Sequence, residues 1–207
     1  HRDLHSFPTR RSSDLVLDFL EKPKPNLRDD FQQEPDMYTP APDEKLTPVM
    51  VYTRESVFRG EVITKENVRV STWLRTQGAP RYLHLLRVNT VQFSGTVKST
   101  NNPEVFLPLT MVIALHLVPP GDDGVDYDPD EANRAMLPIV SGVGTFQFKG
   151  VIRVSAQSGI GPSLELSKIP WLSLYDLEIT NAVLPQMPAM RVPLAIVNPE
   201  QVTFAIP

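Results

Sequence analysis

The sequence predicts an all-β protein, built as two tandem, small and strongly bent β-barrels with a short linker helix between them. β-Branched and aromatic residues cluster in short runs, while few stretches repeat with the period of a helix. Residues 145–154 alternate, with Phe146 and Phe148 on one face, as in a half-buried antiparallel strand. Phe58-Arg59-Gly60 returns 90 residues later as Phe148-Lys149-Gly150. This echo indicates two copies of one small β unit.

The N-terminal residues are set apart from the fold. His5 to Leu15 resembles the translation of a common short-read sequencing adapter, so we expect residues 1–15 to be a non-native artefact joined to a truncated protein. Residues 16–46 follow as a tail, in which Val16 to Lys22 favours a short helix and the rest is rich in proline and charge. This composition predicts a mostly disordered linker. A docking peptide for a partner that takes proline-rich segments is the alternative interpretation.

The first barrel is predicted over residues 47–118. Strands are expected at Val49–Thr53, Val57–Ile63 and Tyr82–Phe93, with one or two more between Glu104 and Val118. Short charged or polar connections separate them, which is typical of a small β domain.

An acidic linker is predicted over residues 119–137. Asp128, Pro129 and Glu131 supply an N-cap, a proline for the first helical position and a capping-box acid, which predicts a short helix from Pro129 to about Met136.

The second barrel is predicted over residues 138–207. Its alignment with the first places Ile196–Pro199 over Val105–Pro108. Three strands are expected there, at Thr145–Val154, Trp171–Leu184 and Ile196–Ile206. Gly60 and Gly150 are predicted to be structural, because a mid-strand glycine permits the sharp bend that a small barrel requires.

A family resemblance is carried by four segments of the first unit: Val51-Tyr52-Thr53, Phe58-Arg59-Gly60, Arg69 to Leu74, and Tyr82 to Phe93. On these segments the unit resembles a family of uncharacterised bacterial small-barrel domains, distantly similar to Sm-type and PilZ-type barrels. The resemblance implies a fold and no known activity. The second unit lacks the Arg-x-Ser-x-x-Leu pattern of residues 69–74, so the resemblance implies that only the first copy could use this pattern for binding.

Composition bounds the classes of protein that remain. A net charge of −4 argues against a nucleic-acid binder held by a generally basic surface. The absence of cysteine excludes disulfides, a thiolate nucleophile and cysteine-ligated metals, and it fits the cytoplasmic location that we expect. The most apolar stretch, Val105–Val118, contains Pro108 and His116 and is too short for a membrane span. No membrane association is predicted.

No catalytic residue, metal site or cofactor is predicted. The three aspartates between positions 126 and 130 have the alternating spacing of a calcium loop, but the glycine and the bidentate glutamate of that loop are missing. His84 and His116 lie in predicted strands without a partner at ligand spacing, and Ser158 lacks the first glycine of a Gly-x-Ser-x-Gly motif. We therefore expect the protein not to be an enzyme.

Two functions remain open. The favoured one is a non-enzymatic interaction or assembly module, with a protein partner or self-association through the strand edges that small barrels leave exposed. The alternative is a nucleic-acid or nucleotide-binding regulator that uses an arginine-rich face of the first barrel, with aromatic side chains for stacking. The candidate binding residues are Arg54, Arg59, Arg69, Arg75, Trp73 and Tyr82. The same arginines are also what the solvent faces of strands contain.

Overall fold

The computed structural model describes residues 38–76, 78–118, 124 and 126–207. The strands are β1 (Glu44–Tyr52), β2 (Ser56–Lys65), β3 (Tyr82–Gln92), β4 (Lys98–Pro108), β5 (Ala114–Leu117), β6 (Arg134–Val143), β7 (Phe146–Ser155), β8 (Leu172–Asn181), β9 (Met190–Val197) and β10 (Thr203–Ala205). The helices are α1 (Val70–Arg75) and α2 (Ile160–Leu166), and Leu109–Met111 forms a 3₁₀ turn. The predicted artefact, the predicted helix at Val16 to Lys22 and most of the predicted tail lie outside the described residues.

The all-β prediction is confirmed, but the described strands form one continuous antiparallel sheet. Its order is β10-β6-β7-β8-β9-β5-β1-β2-β3-β4, and it is not closed. The arrangement as two separate barrels is therefore not confirmed. The physical reason is the central pairing of β5 with β9, which joins the two halves through backbone hydrogen bonds. Among the described residues, no helix is long and apolar enough to cross a membrane.

The two halves of the sheet have the same internal order. β1 to β5 are arranged as β5-β1-β2-β3-β4, and β6 to β10 are arranged as β10-β6-β7-β8-β9. In each half a short helix connects the second and third strands, and α2 begins 90 residues after α1. We call these parts the first half and the second half.

A glycine bends the second strand of each half. The register of β2 with β3 shifts between Arg59 and Glu61, and that of β7 with β8 shifts between Lys149 and Val151, so each shift contains the glycine. A Cβ on Gly60 would lie 3.0 Å from the Leu86 carbonyl oxygen. The bend thus brings two backbones close together, as expected for a glycine at a β-bulge.

Two hydrophobic cores lie on the two sides of β1. Val49 and Val51 belong to the first core, whereas Met50 and Tyr52 belong to the second. The run of apolar residues in β1 follows from this, because a strand buried on both faces does not alternate with polar residues. The first core also contains Trp171 and Ile196 of the second half, and the second core contains residues of both halves.

Several predicted elements are corrected by the structure. The predicted helix from Pro129 to about Met136 is wrong, because residues 129–133 form turns and coil and Arg134 begins β6. Glu131 does not cap a helix; its carboxylate contacts Arg134 and Arg153. The predicted single strand from Ile196 to Ile206 is also wrong, since β9 ends at Val197 and a turn precedes β10.

The tail boundary and two helices also differ from expectation. β1 begins at Glu44, inside the stretch predicted as tail. Neither α1 nor α2 was predicted from the sequence. Helix α1 places Val70 and Leu74, four residues apart, against the first core. The structure also aligns the halves differently near their ends. Strands β1 and β6 are counterparts, and Leu115 of β5 and Phe204 of β10 pair with corresponding residues of these two strands. Leu115 therefore corresponds to Phe204.

Candidate functional site

The six predicted binding residues do not form one surface. Arg54 is exposed in the turn between β1 and β2, next to the pair Ser56–Gln92. Tyr82 begins β3, ten residues before Gln92. At about 3.3 Å per residue, the two ends of this strand are separated by roughly 30 Å along the chain.

The other predicted residues lie in different environments. Arg59 is in the middle of β2 opposite Asn89, and burial lowers the pKa of its guanidinium. Arg69 is exposed at the start of α1. Trp73 is partly buried and packs against the first core.

Arg75 is part of a polar network that joins the two halves. Its Nη1 lies 2.5 Å from Asp126 Oδ2, its Nε donates to the Trp171 carbonyl oxygen at 3.1 Å, and its Nη2 donates to Ser173 Oγ. Ser173 Oγ donates to Asp126 Oδ2 at 2.6 Å, and the Tyr175 hydroxyl donates to Asp126 Oδ1 at 2.7 Å. A helix of the first half is thereby tied to a strand of the second through one carboxylate.

The protonation of this network is set by opposing effects. Burial raises the pKa of Asp126, but the hydrogen bonds from Ser173, Tyr175 and Arg75 outweigh it, so the pKa of Asp126 is lowered overall. Burial, followed by the hydrogen bond to Asp126, raises the pKa of Tyr175. The carboxylate is therefore ionised and the phenol neutral at pH 7, which is the state that a structural clamp requires.

The acidic linker is held against the second half. The Arg153 guanidinium lies 4.8 Å from the centroid of the Tyr127 ring, and it donates to Glu131 at 2.6 Å and to the Asp128 carbonyl oxygen at 2.8 Å. Of the residues that the sequence suggested for a helix cap, Glu131 takes part through its side chain and Asp128 through its backbone carbonyl. No cluster of metal-ligating side chains is found among the described residues.

The two histidines of the described chain have structural partners. His116 is buried, its Nδ1 donates to the Leu117 carbonyl oxygen at 2.8 Å, and its Nε2 lies 2.9 Å from the Tyr52 hydroxyl, which therefore donates to it. Burial lowers the pKa of His116 to about 4, so the ring is neutral at pH 7. The His84 ring stacks on Phe106, with centroids 4.3 Å apart, and its Nε2 lies 3.3 Å from Glu104.

The central junction between the halves shows how an edge strand of one half pairs with an edge strand of the other. Leu115 of β5 pairs with Ile196 of β9, and Ala114 pairs with Val197. The Asn198 amide extends the ladder by donating to the Ile113 carbonyl oxygen at 2.8 Å. The pairing buries Ile196 in the first core, where its side chain is 2% exposed.

The outer edges of the sheet are β4 and β10, which correspond to the two strands of this junction. Arg87 of β3 and Asp176 of β8 are the bulge residues of the two halves, and both have φ near 50°. Superposing these two residues aligns β3 with its counterpart β8. Phe106 of β4 pairs with His84, three residues before Arg87, and Ile196 of β9 pairs with Ser173, three residues before Asp176. Phe106 and Ile196 are therefore counterparts. Tyr82, five residues before Arg87, corresponds to Trp171.

Corresponding positions differ sharply in exposure. Trp171 and Ile196 are 4% and 2% exposed at the junction, whereas Tyr82 and Phe106 are 52% and 59% exposed at the β4 edge. On the β10 side, Ile206 corresponds to Leu117 and is 70% exposed. The candidate residues taken from the sequence include Tyr82, for base stacking, but neither Phe106 nor Ile206. Phe106 and Ile206 could have been identified from the sequence, because each is apolar and its counterpart in the other half is apolar as well.

Comparison of the chain with protein-family models, with curated proteins and with solved structures finds no match.

Proposed function

We propose that the protein is a non-enzymatic interaction and assembly module that binds protein partners through the two open edges of its sheet. The observation that carries the proposal is the central β5–β9 junction, in which one edge strand of this fold already binds another and buries apolar side chains from it. The outer strands β4 and β10 are the counterparts of β9 and β5, and their apolar side chains are exposed. Exposed strand edges flanked by apolar residues favour strand addition by a partner.

The alternative, a nucleic-acid or nucleotide-binding regulator, has less support from the positions of its candidate residues. Arg75 is engaged by Asp126, and Arg54 and Tyr82 lie at opposite ends of the β2–β3 ladder. Binding the phosphate backbone of a nucleic acid requires several Lys or Arg side chains along one groove or face of the protein.

Site-specific photo-crosslinking in cells of the source organism tests the proposal. A photoreactive phenylalanine analogue replaces Phe106, Ile206 or, as a control on a central strand, the exposed Gln147 of β7. We expect discrete protein adducts from positions 106 and 206 and not from position 147. Equal adducts at all three positions, or none at the edges, would contradict the proposal.

The alternative function is measured in parallel with labelled RNA and DNA. Binding that weakens with salt and is lost in the Arg69→Ala and Arg75→Ala variants would favour the regulator.

A further inference from the structure

We infer that the partner of both edges is a second copy of this chain, with β4 of one copy paired antiparallel to β10 of the next. The inference rests on the proposed function, and it names the partner. It starts from the observation that the sheet already contains this junction once, because β9 and β5 are the counterparts of β4 and β10. An edge that repeats the strands of an existing junction has the hydrogen-bonding pattern to form it again.

The internal register predicts the register between copies. Leu115 pairs with Ile196 inside the chain, so Phe106 of one copy pairs with Phe204 of the other. Leu107 then lies opposite Thr203, and Val105 lies opposite Ala205. Directly opposed aromatic side chains stabilise antiparallel strands, and the pair would cover the 59% exposed ring of Phe106.

The acceptor side of this junction is also apolar. Leu164 and Phe204 are partly buried against the second core, as their counterparts Leu74 and Leu115 are buried in the first. Ile206 remains exposed beside them. Tyr82 and Phe106 therefore meet an apolar surface of the kind that receives Trp171 and Ile196 within the chain.

A polar contact of the internal junction has a complementary counterpart. Arg75 donates to Ser173 within the chain, and the counterparts of these residues are Glu165 and His84. An exposed carboxylate would thus face an imidazole, and it would share this imidazole with Glu104, which lies 3.3 Å from His84 Nε2 within the chain.

The prolines of β4 do not prevent this pairing. Pro103 has a counterpart in Pro193, which lies in β9, and β9 nevertheless pairs with β5 at residues 195–197. Pro108 stands where Asn198 donates to Ile113, so the junction between copies lacks that one hydrogen bond.

The junction between copies is weaker than the internal one. Within the chain, the Tyr52 ring packs edge-on against Phe146 and Phe148 at 4.9 and 5.1 Å, and Tyr52 has its counterpart in Gly142. This part of the packing is absent between copies. We therefore expect reversible association, with a dissociation constant on the order of 10 μM. Because different edges meet, the contact is heterologous and builds either a closed ring or an open chain.

Sedimentation equilibrium of the full chain, from about 1 to 300 μM, tests the inference over a range that brackets a micromolar constant. The average mass is expected to rise with concentration. Phe106→Asp and Ile206→Asp each place a charge on one side of the junction and should raise the dissociation constant more than about tenfold. Met136→Asp, at an exposed apolar position of β6, is the matched control and should associate as the unmodified chain does.

Mixing the two edge variants distinguishes a head-to-tail contact from a symmetric one. Phe106→Asp keeps an intact β10 edge and Ile206→Asp keeps an intact β4 edge, so each alone should associate much more weakly than the unmodified chain, whereas the mixture should associate with the affinity of the unmodified chain and stop mainly at a 1:1 dimer. If either variant is unfolded by circular dichroism, the corresponding serine variant replaces it.

A chain that stays monomeric throughout, a mixture that does not associate, or an Ile206→Asp variant that self-associates normally would overturn the inference. Edge-specific photo-crosslinks to a different protein, together with a monomeric chain, would leave the proposed function standing without it.

Discussion

At the scale of single residues, the structure places three linked features on neighbouring strands in each half. In the second half, Gly150 of β7 faces the bulge residue Asp176 of β8, and Pro193 of β9 lies beyond it. Asp176 has φ near 50°, a conformation that few non-glycine residues adopt. Proline is tolerated at that position because the bulge interrupts the ladder there. The sharp bend of the sheet therefore depends on the glycine, the left-handed residue and the proline together.

The two glycines should differ in how well they tolerate a side chain. A Cβ at Gly150 would lie 2.5 Å from the Tyr175 carbonyl oxygen, whereas at Gly60 the nearest atom is 3.0 Å away. We expect Gly150→Ala to lower the free energy of unfolding by about 3 kcal/mol and Gly60→Ala by about 1 kcal/mol. Urea denaturation measures both values.

Gly161→Ala is the control for these variants, because Gly161 lies in α2 and a Cβ there would have no atom of another element within 4 Å. The substitution should be neutral or stabilising by up to about 1 kcal/mol. Equal effects at all three glycines would show that the close backbone contacts do not limit the bend.

At the scale of elements, tertiary contacts determine the conformation of the linker. The linker sequence favours a helix. In the structure, however, Arg153 contacts Glu131 and Tyr127, and Arg75 contacts Asp126. Each of these partners comes from a distant part of the chain. A capping pattern therefore predicted a helix that competing side-chain contacts do not permit.

Local alternation was the reliable part of the sequence signal. In β7 Phe146 and Phe148, which were predicted to share one face, are both buried, because a period of two follows directly from strand geometry. Helix α1 was missed because two apolar residues one turn apart are too few to reveal a helical period. The β5–β9 junction could not be predicted, since it pairs segments about 80 residues apart and no local pattern specifies it.

The Arg75–Asp126 network makes a prediction at the scale of elements. Asp126→Ala removes the acceptor of three side chains, and the Asp126 side chain is only 8% exposed. Removing one partner of a mostly buried ion pair leaves the other groups unsatisfied, so we expect a loss of about 2–4 kcal/mol in the free energy of unfolding.

Asp130→Ala is the matched control in the same linker, because Asp130 is exposed, and it should change stability by less than about 0.5 kcal/mol. Urea titrations of both variants at pH 7 make the comparison. Similar effects of the two substitutions would contradict a specific role of Asp126 in holding the halves together.

At the scale of the whole molecule, the shared cores bear on cooperativity. The first core includes Trp171 and Ile196 from the second half, and the second core includes Tyr52 and Phe93 from the first. Neither half can keep its core intact when the other unfolds. A chain of independent repeats would instead add the stabilities of its units and could unfold in steps.

We therefore expect a single unfolding transition, and the two tryptophans provide the probes. Trp73 lies in α1 of the first half and Trp171 immediately before β8 of the second. In the Trp171→Phe variant the fluorescence of Trp73 reports on the first half alone, while far-ultraviolet circular dichroism reports on all strands. The midpoints of the two signals should coincide in urea, and the same should hold for Trp73→Phe with Trp171 as the probe. Separate midpoints would mean that the halves unfold independently, and the pairing of β5 with β9 would then be a contact between two domains rather than the centre of one cooperative sheet.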